Sequence, residues 1–442
     1  MNRAVLWLTV SMPQVTPPCV GALSRLRSHL SLINEDSMTT SPSTSPSRWP
    51  VWLCWLAMVL DGFDLVVLGT VIPTLIKTGE LGFDAVGATF VATISLVGVG
   101  LGALFIAPLS DRFGRRNLLI ACVLWFSIFT LAVVWAPNVA VFGAFRLLAG
   151  AGLGACLPAA LAYMNDYAPA GSAGKSTTRT MTGYHVGAVA TAFLALIVIP
   201  DWRTMFVVGG IAGLVLLPFL WFKLPETLPS VRTARTEERT GFRDLAKKPY
   251  PLVAAAIAAA SFMGLLLVYG LNTWLPQLMA SAGYPVSAGL SLLLVLNLGA
   301  VAGLIIAGVL ADKHGTKPIV LLWFGLSAVC LALLSIKVDN AILLNALVFV
   351  TGVFVFSSQV LVYAWVSQLF PARLRATALG FAAGVGRIGA IAGPAVTGGL
   401  VAAGIAYPWG FYIFAAAGAL AVVALLAVPH SMAASHENAV AQ

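Results

Sequence analysis

The chain has 442 residues, 60% of them hydrophobic and 9% charged, where an ordinary soluble domain is roughly a quarter charged. No soluble core hides that much apolar surface, so a water-soluble enzyme or binding module is excluded. The formal charge of +9 does not mark a nucleic-acid binder either, because the basic residues sit in short loops between apolar stretches instead of forming one face.

Arg3 precedes a seven-residue apolar run, Ala4 to Val10, too short to span a bilayer and without a clear small-residue cleavage site. A working signal peptide is not expected, and the Thr/Ser/Pro-rich stretch opened by Met38 marks that methionine as a candidate translation start. Apolar stretches long enough to cross a hydrocarbon layer of about 30 Å, which takes about 20 helical residues, then follow one another. They begin near Trp52, Thr89, Leu118, Val139, Thr178 and Thr204, and again near Leu252, Ser287, Ile319, Ala341, Ala376 and Trp409. The expected fold is therefore an all-α membrane protein of twelve transmembrane helices. Residues 1–49 are read as a tail, 50–223 as a six-helix bundle, 224–249 as a central loop, 250–428 as a second six-helix bundle and 429–442 as a closing tail.

With the amino terminus inside, the inner loops carry Arg112, Arg115, Arg116, Lys175, Arg179, Lys313, Lys317, Arg373 and Arg375. The outer loops carry only Lys77, Arg203 and Lys337. That asymmetry follows the positive-inside rule and puts both termini in the cytoplasm. Cys54, Cys122, Cys156 and Cys330 fall inside apolar stretches and Cys19 lies in the tail. They read as buried small side chains, with no disulfide framework, no metal motif and no cofactor implied.

The two bundles repeat one another at an offset of 201 to 203 residues. Asp111 in Ala107-Pro-Leu-Ser-Asp-Arg-Phe-Gly-Arg-Arg116 matches Asp312 in Gly308-Val-Leu-Ala-Asp-Lys-His-Gly-Thr-Lys317. Pro73 matches Pro276, Gly150 matches Gly352, Pro169 matches Pro371, and the segment from His185 to Ala190 matches that from Arg387 to Ala392. Duplicated bundles of this kind are a hallmark of secondary transporters. The two loops resemble the Gly-x-Leu-Ala-Asp-Arg-x-Gly-Arg-Lys signature of the major facilitator superfamily, with Ala107 standing where that family usually has Gly. The resemblance marks Asp111, Arg112, Gly114, Arg115, Arg116, Asp312, Lys313, Gly315 and Lys317 as gating-loop residues. Physically, an acid and several bases at helix ends can latch one end of the bundle, although plain topology charges would look the same.

Five ionisable residues lie well inside apolar spans: Asp61 and Asp64, Arg146, His185 and Arg387. Each acid or guanidinium costs roughly 2.5–3.5 kcal/mol there, so function is the default expectation. Asp61 and Asp64 are three residues apart and share a helix face, with β-carbons about 5–6 Å apart. Two carboxylates that close do not both ionise easily, which leaves one able to carry a proton; alternatively both pair with Arg146 or Arg387. Arg146 reads equally as an ion-pair partner or a substrate ligand. Arg387 has no acid nearby in sequence and suits a bidentate substrate carboxylate, or else a salt bridge to the first span. His185, its repeat equivalent, relays protons, donates a hydrogen bond to substrate, or simply packs. Phe63, Tyr269, Asn272, Trp274, Phe356, Gln359, Tyr363 and Trp365 add aromatic and polar groups, either as lipid anchors or as a cavity lining suited to a ring bearing a carboxylate.

Asp61-Gly-Phe-Asp64, with Asn272-Thr-Trp-Leu-Pro276 and the Arg387 helix ending in Gly393-Pro394, resembles the aromatic acid:proton symporter family. The resemblance implies uptake of benzoate, hydroxybenzoate, protocatechuate, gentisate or vanillate across a bacterial inner membrane, driven by protons. It carries the family's transport carboxylates onto Asp61 and Asp64. The expected partners are thus a small aromatic carboxylate, protons and the lipid bilayer, with the chain acting as a monomer. No hydrolase constellation or phosphate-cradling loop appears, so an ATP-driven pump is disfavoured. A proton-coupled exporter of drugs or metabolites is the alternative; a non-transporting receptor and an intramembrane enzyme are more distant ones.

Overall fold

The computed structural model describes residues 49–167, 173–225 and 242–429. The expectations for the first 37 residues and Met38, most of the central loop and the closing tail lie outside the described residues. So do the side chains of Asp111 and Arg112.

Twelve helices among the described residues are long and apolar enough to cross a membrane. They are α1 (Trp49–Thr78), α2 (Ala85–Leu109), α3 (Arg115–Trp135), α4 (Val139–Met164), α5 (Thr180–Val198) and α6 (Trp202–Lys223), then α7 (Pro251–Ser281), α8 (Val286–His314), α9 (Thr316–Leu334), α10 (Ala341–Leu369), α11 (Thr377–Ala402) and α12 (Ala406–Leu426). Only helices close all their backbone hydrogen bonds within one segment, which is what a lipid-spanning chain needs. Local chemistry sets their ends. Gly79 takes a left-handed conformation (φ 65°) after α1, and its N–H donates to the Leu75 carbonyl at 2.9 Å. The Asp84 side chain accepts from the Gly87 N–H at 2.6 Å and caps α2.

The repeat seen in the sequence is present in the packing. Gly187 of α5 lies against the Val59 carbonyl of α1, where a methyl group would overlap it; Gly389 of α11 lies in the same way on the Phe262 carbonyl of α7. The signature loops also match, turning at Gly114 (φ 87°, ψ 145°) and at Gly315 (φ 84°, ψ 149°). A positive φ of that size favours glycine. The copies differ just before the turn. α2 loosens into a π-helical turn over Gly102–Ile106 and a 3-10 turn over Ala107–Leu109 that contains Pro108, whereas α8 runs as regular α-helix to His314. Pro108 lacks a backbone N–H, and the helix redistributes its hydrogen bonds around it.

The halves meet most closely at the end away from the signature loops. Gly69 of α1 lies directly on the Asn272 carbonyl of α7, and Gly398 of α11 on the Thr89 side chain of α2. One continuous apolar core runs from that far half of the first bundle, through Val71 and Phe206, into the whole second bundle. The signature-end half of the first bundle, around Cys54, Cys122 and Cys156, has a separate core of its own.

Candidate functional site

Asp61 and Asp64 leave α1 toward different partners. The Asp64 Oδ1 accepts from Arg146 Nη1 of α4 at 2.6 Å, its Oδ2 accepts from the Thr130 hydroxyl of α3 at 2.6 Å, and Arg146 Nη2 also donates to the Asp64 backbone carbonyl at 3.0 Å. The pair is almost wholly buried, at 2% and 1% exposure, and the guanidinium lies 5.9 Å from the Phe206 ring centre. Of the two roles open to Arg146, the geometry is that of an ion-pair partner, binding α1, α3 and α4 together inside the first bundle.

Asp61 is equally buried, yet its Oδ1 has no hydrogen-bond partner and it makes no ion pair among the described residues. Arg387 of α11, in the opposite half, is close enough for each to feel the other's charge. Arg387 is half-buried. Its hydrogen bond goes to the Tyr269 hydroxyl of α7, from Nη1 at 3.1 Å. Most of a five-donor fork is thus left for an anion. Tyr363 of α10 and Tyr184 of α5 are also within electrostatic reach of Arg387, and Tyr184 is a side-chain hydrogen-bond partner of Asn272. A carboxyl, a guanidinium and three phenols therefore converge from α1, α5, α7, α10 and α11.

The other expected residues spread out. His185 is buried with no hydrogen-bond partner for Nδ1 among the described residues, its ring edge-on to Phe356 of α10 at 5.7 Å and to Tyr184 at 5.2 Å, so it packs in a contact between the halves. Gln359 turns into the second bundle, where its Nε2 donates to the Ser261 hydroxyl at 3.0 Å. Phe63 packs on Gly209 of α6, and Trp274 is completely buried; no contact of either with Asp61 or Arg387 is seen among the described residues. In the signature loops, Arg115 donates to the Ala162 carbonyl at 2.7 Å, and Arg116 to the Trp221 carbonyl at 2.5 Å while lying over that indole. Lys317, the repeat match of Arg116, donates to the Val428 carbonyl at 2.6 Å. Arg116 and Lys317 thus each cap the last helix of their own half, where cations favour the carbonyl end. Asp312 and Lys313 are exposed.

Tyr184, Thr130 and Asn297 are polar residues of this region that reasoning from charge alone passes over. Asn297, buried in α8, donates through Nδ2 to the Asn272 Oδ1 at 3.1 Å and to the Leu293 carbonyl at 3.0 Å. Its signal was available: a carboxamide inside an apolar span is costly unless it has work to do.

The sequence model described as Major Facilitator Superfamily matches residues 54–306 and 291–441, nearly the whole of both bundles. The chain belongs to the major facilitator superfamily. Among curated relatives it is 36% identical to a gentisate transporter of Corynebacterium glutamicum, over 85% of this chain and 86% of that protein. It is 31% identical to a benzoate transport protein of Acinetobacter baylyi, over 90% and 92% of the two chains. These relatives put it in the aromatic acid branch of the superfamily, so it is a multi-pass membrane transporter and not an enzyme. Among solved structures, a D-xylose-proton symporter superposes with a TM-score of 0.72 at 18% identity, covering 88% of this chain and 99% of that one. This likeness concerns the major facilitator fold alone.

Proposed function

We propose that this transporter imports aromatic carboxylates such as benzoate, hydroxybenzoate, protocatechuate or gentisate together with protons, by alternating access. The observation that carries the reading is a buried Asp61, its Oδ1 without a hydrogen-bond partner among the described residues, within electrostatic reach of a half-buried Arg387 on the opposite half. Asp64 is already engaged by Arg146, so the proton-carrying role falls on Asp61, with Asp64 holding the first bundle in shape. Arg387 and Tyr269 take the carboxylate, and the surrounding phenols take the ring. A proton on Asp61 removes the negative charge that otherwise competes for Arg387, which couples the two cargoes. Deprotonation on the inner side restores that competition and favours release.

The basic loops support placing the signature end and both termini on the cytoplasmic side of a bacterial inner membrane, where the proposal has the chain working as a monomer. In that orientation the halves are sealed on the outer side, as in an inward-facing state. The test is uptake of labelled benzoate into proteoliposomes under an imposed pH gradient. Asp61→Asn should lose gradient-driven accumulation while retaining exchange of internal for external benzoate. Accumulation that survives in a folded Asp61→Asn protein refutes the coupling, and proton-driven extrusion of the acid would point to an exporter.

A further inference from the structure

We infer that one acyl chain of a membrane phospholipid seats in a groove between α2 and α11, at the end away from the signature loops, and stabilises the conformation in which that end is closed. The groove belongs to the structure itself, and its effect on conformation rests on the alternating-access reading.

The groove has a volume of about 380 Å³ and is lined by the α2 stripe from Val86 to Ile94 and by Gly399 and Ala402 of α11. Its mouth is on the outside of the bundle: Val86 and Phe90 are 63% and 46% exposed, and Gly399 and Ala402 are exposed as well. Both helices are long and apolar enough to span the membrane, so hydrocarbon faces that mouth. An apolar hollow holds no ordered water. The two hydroxyls in the wall do not alter this. Thr89 donates to the Ala85 carbonyl at 2.7 Å, and Thr93, without a partner among the described residues, can turn onto the Thr89 carbonyl in the same way.

Two glycines make the hollow. Gly398 rests on Thr89 and brings the helices together, while Gly399 beside it has open space where a side chain would stand. At the duplicate seam, between α5 and α8, the register that matches His185 to Arg387 puts Leu196 and Ile197 at these positions. Their side chains supply the bulk that α11 lacks. The shape of the groove also selects its occupant. From Val86 to Ile94 it runs about 12 Å along α2, most of the roughly 15 Å of hydrocarbon in one leaflet, which is the reach of a lipid tail and not of a compact solute. Each half contributes one wall, so rocking the halves apart at this end separates the walls. A chain that binds only the closed form shifts the equilibrium toward it.

The experiment is photolabelling in proteoliposomes with a phospholipid carrying a diazirine midway along one acyl chain, read by peptide mass spectrometry. In the wild-type protein, residues 86–94 and 399–402 should be labelled several times more heavily than the α5–α8 seam around Leu196 and Ile197, which meets the same bilayer. Gly399→Ile fills the open space with the side chain found at the matched position, and should bring the groove down to the level of that seam. Gly69→Trp, or Gly69→Val if the larger side chain prevents folding, props the halves apart at the α1–α7 contact without touching the groove. It should lower the labelling of residues 86–94 as well. Equal labelling of the two seams in the wild type overturns the inference, as does a groove labelled less than the other seam because a second copy of the chain covers it. Excess labelling that persists in Gly399→Ile also overturns it. Labelling unchanged in the folded Gly69 variant refutes the effect on conformation. None of these readouts uses the aromatic cargo, so a protein that takes up no benzoate fails at the substrate reading, which is a distinguishable result.

Discussion

Removing one member of the Asp64–Arg146 pair should cost more from one side than from the other. Asp64→Leu leaves a guanidinium at 1% exposure facing hydrocarbon, with only the residue-64 backbone carbonyl and the Phe206 ring for company. A guanidinium cannot shed its proton to escape. Breaking a buried pair in this way costs about 3–5 kcal/mol, which in a bundle of this size is roughly a 10 °C fall in melting temperature. Arg146→Met leaves Asp64 with the Thr130 hydroxyl and the option of binding a proton, so its cost should be clearly smaller. The double variant, with an apolar pair of similar volume, should recover most of the loss. Thermal unfolding of the four purified proteins in one detergent supplies the cycle. Equal single losses that simply add in the double variant would refute the idea that the pair is a structural unit.

Two further outcomes follow from the packing and the far-end loop. Gly187→Ala and Gly389→Ala each push a methyl group into a helix carbonyl, so both should lose folded yield on size-exclusion chromatography, while Gly325→Ala, with open space around it, should not. A tolerated Gly187→Ala would mean that α1 and α5 are not held as closely as described. Glu80 accepts from Trp202 Nε1 at 2.8 Å and pairs with Arg203, and these contacts hold its carboxyl below the ordinary range despite some desolvation. A depressed carboxyl contributes stability above its unfolded value, about 4.3, and loses it as pH falls through the folded value. Glu80→Gln should therefore cost under about 1 kcal/mol at pH 7, since the pair is partly exposed, and progressively less below about pH 4. A wild-type-to-variant difference that stays constant as the pH is lowered counts against the assignment.

The twelve spans were legible because length and apolar composition alone determine them, and the duplication because Gly187 and Gly389, or Gly114 and Gly315, must recur wherever the same contact recurs. Partner choice was not legible. Asp61 and Asp64 look interchangeable three residues apart on a helix that is apolar all round, and only the crossing of α1 with α3 and α4 sends one to Arg146 and Thr130 while the other meets the opposite half. The packing of Phe63 and Trp274 was not legible for the same reason, since a helix without a polar face does not announce which side it turns inward. Charge does not pick out Asn297, although an uncharged amide also meets a penalty, a smaller one, in hydrocarbon.

Gly69 and Asn272 occupy corresponding positions in the two copies and rest on one another. The twofold relation between the copies is therefore broken where they touch: the first bundle offers bare backbone there, while Asn272 keeps a carboxamide whose Oδ1 is held by Asn297 within the second bundle. Any side chain at residue 69 would meet the Asn272 backbone carbonyl, so the first span can approach the second half this closely only while it stays bare at that one position.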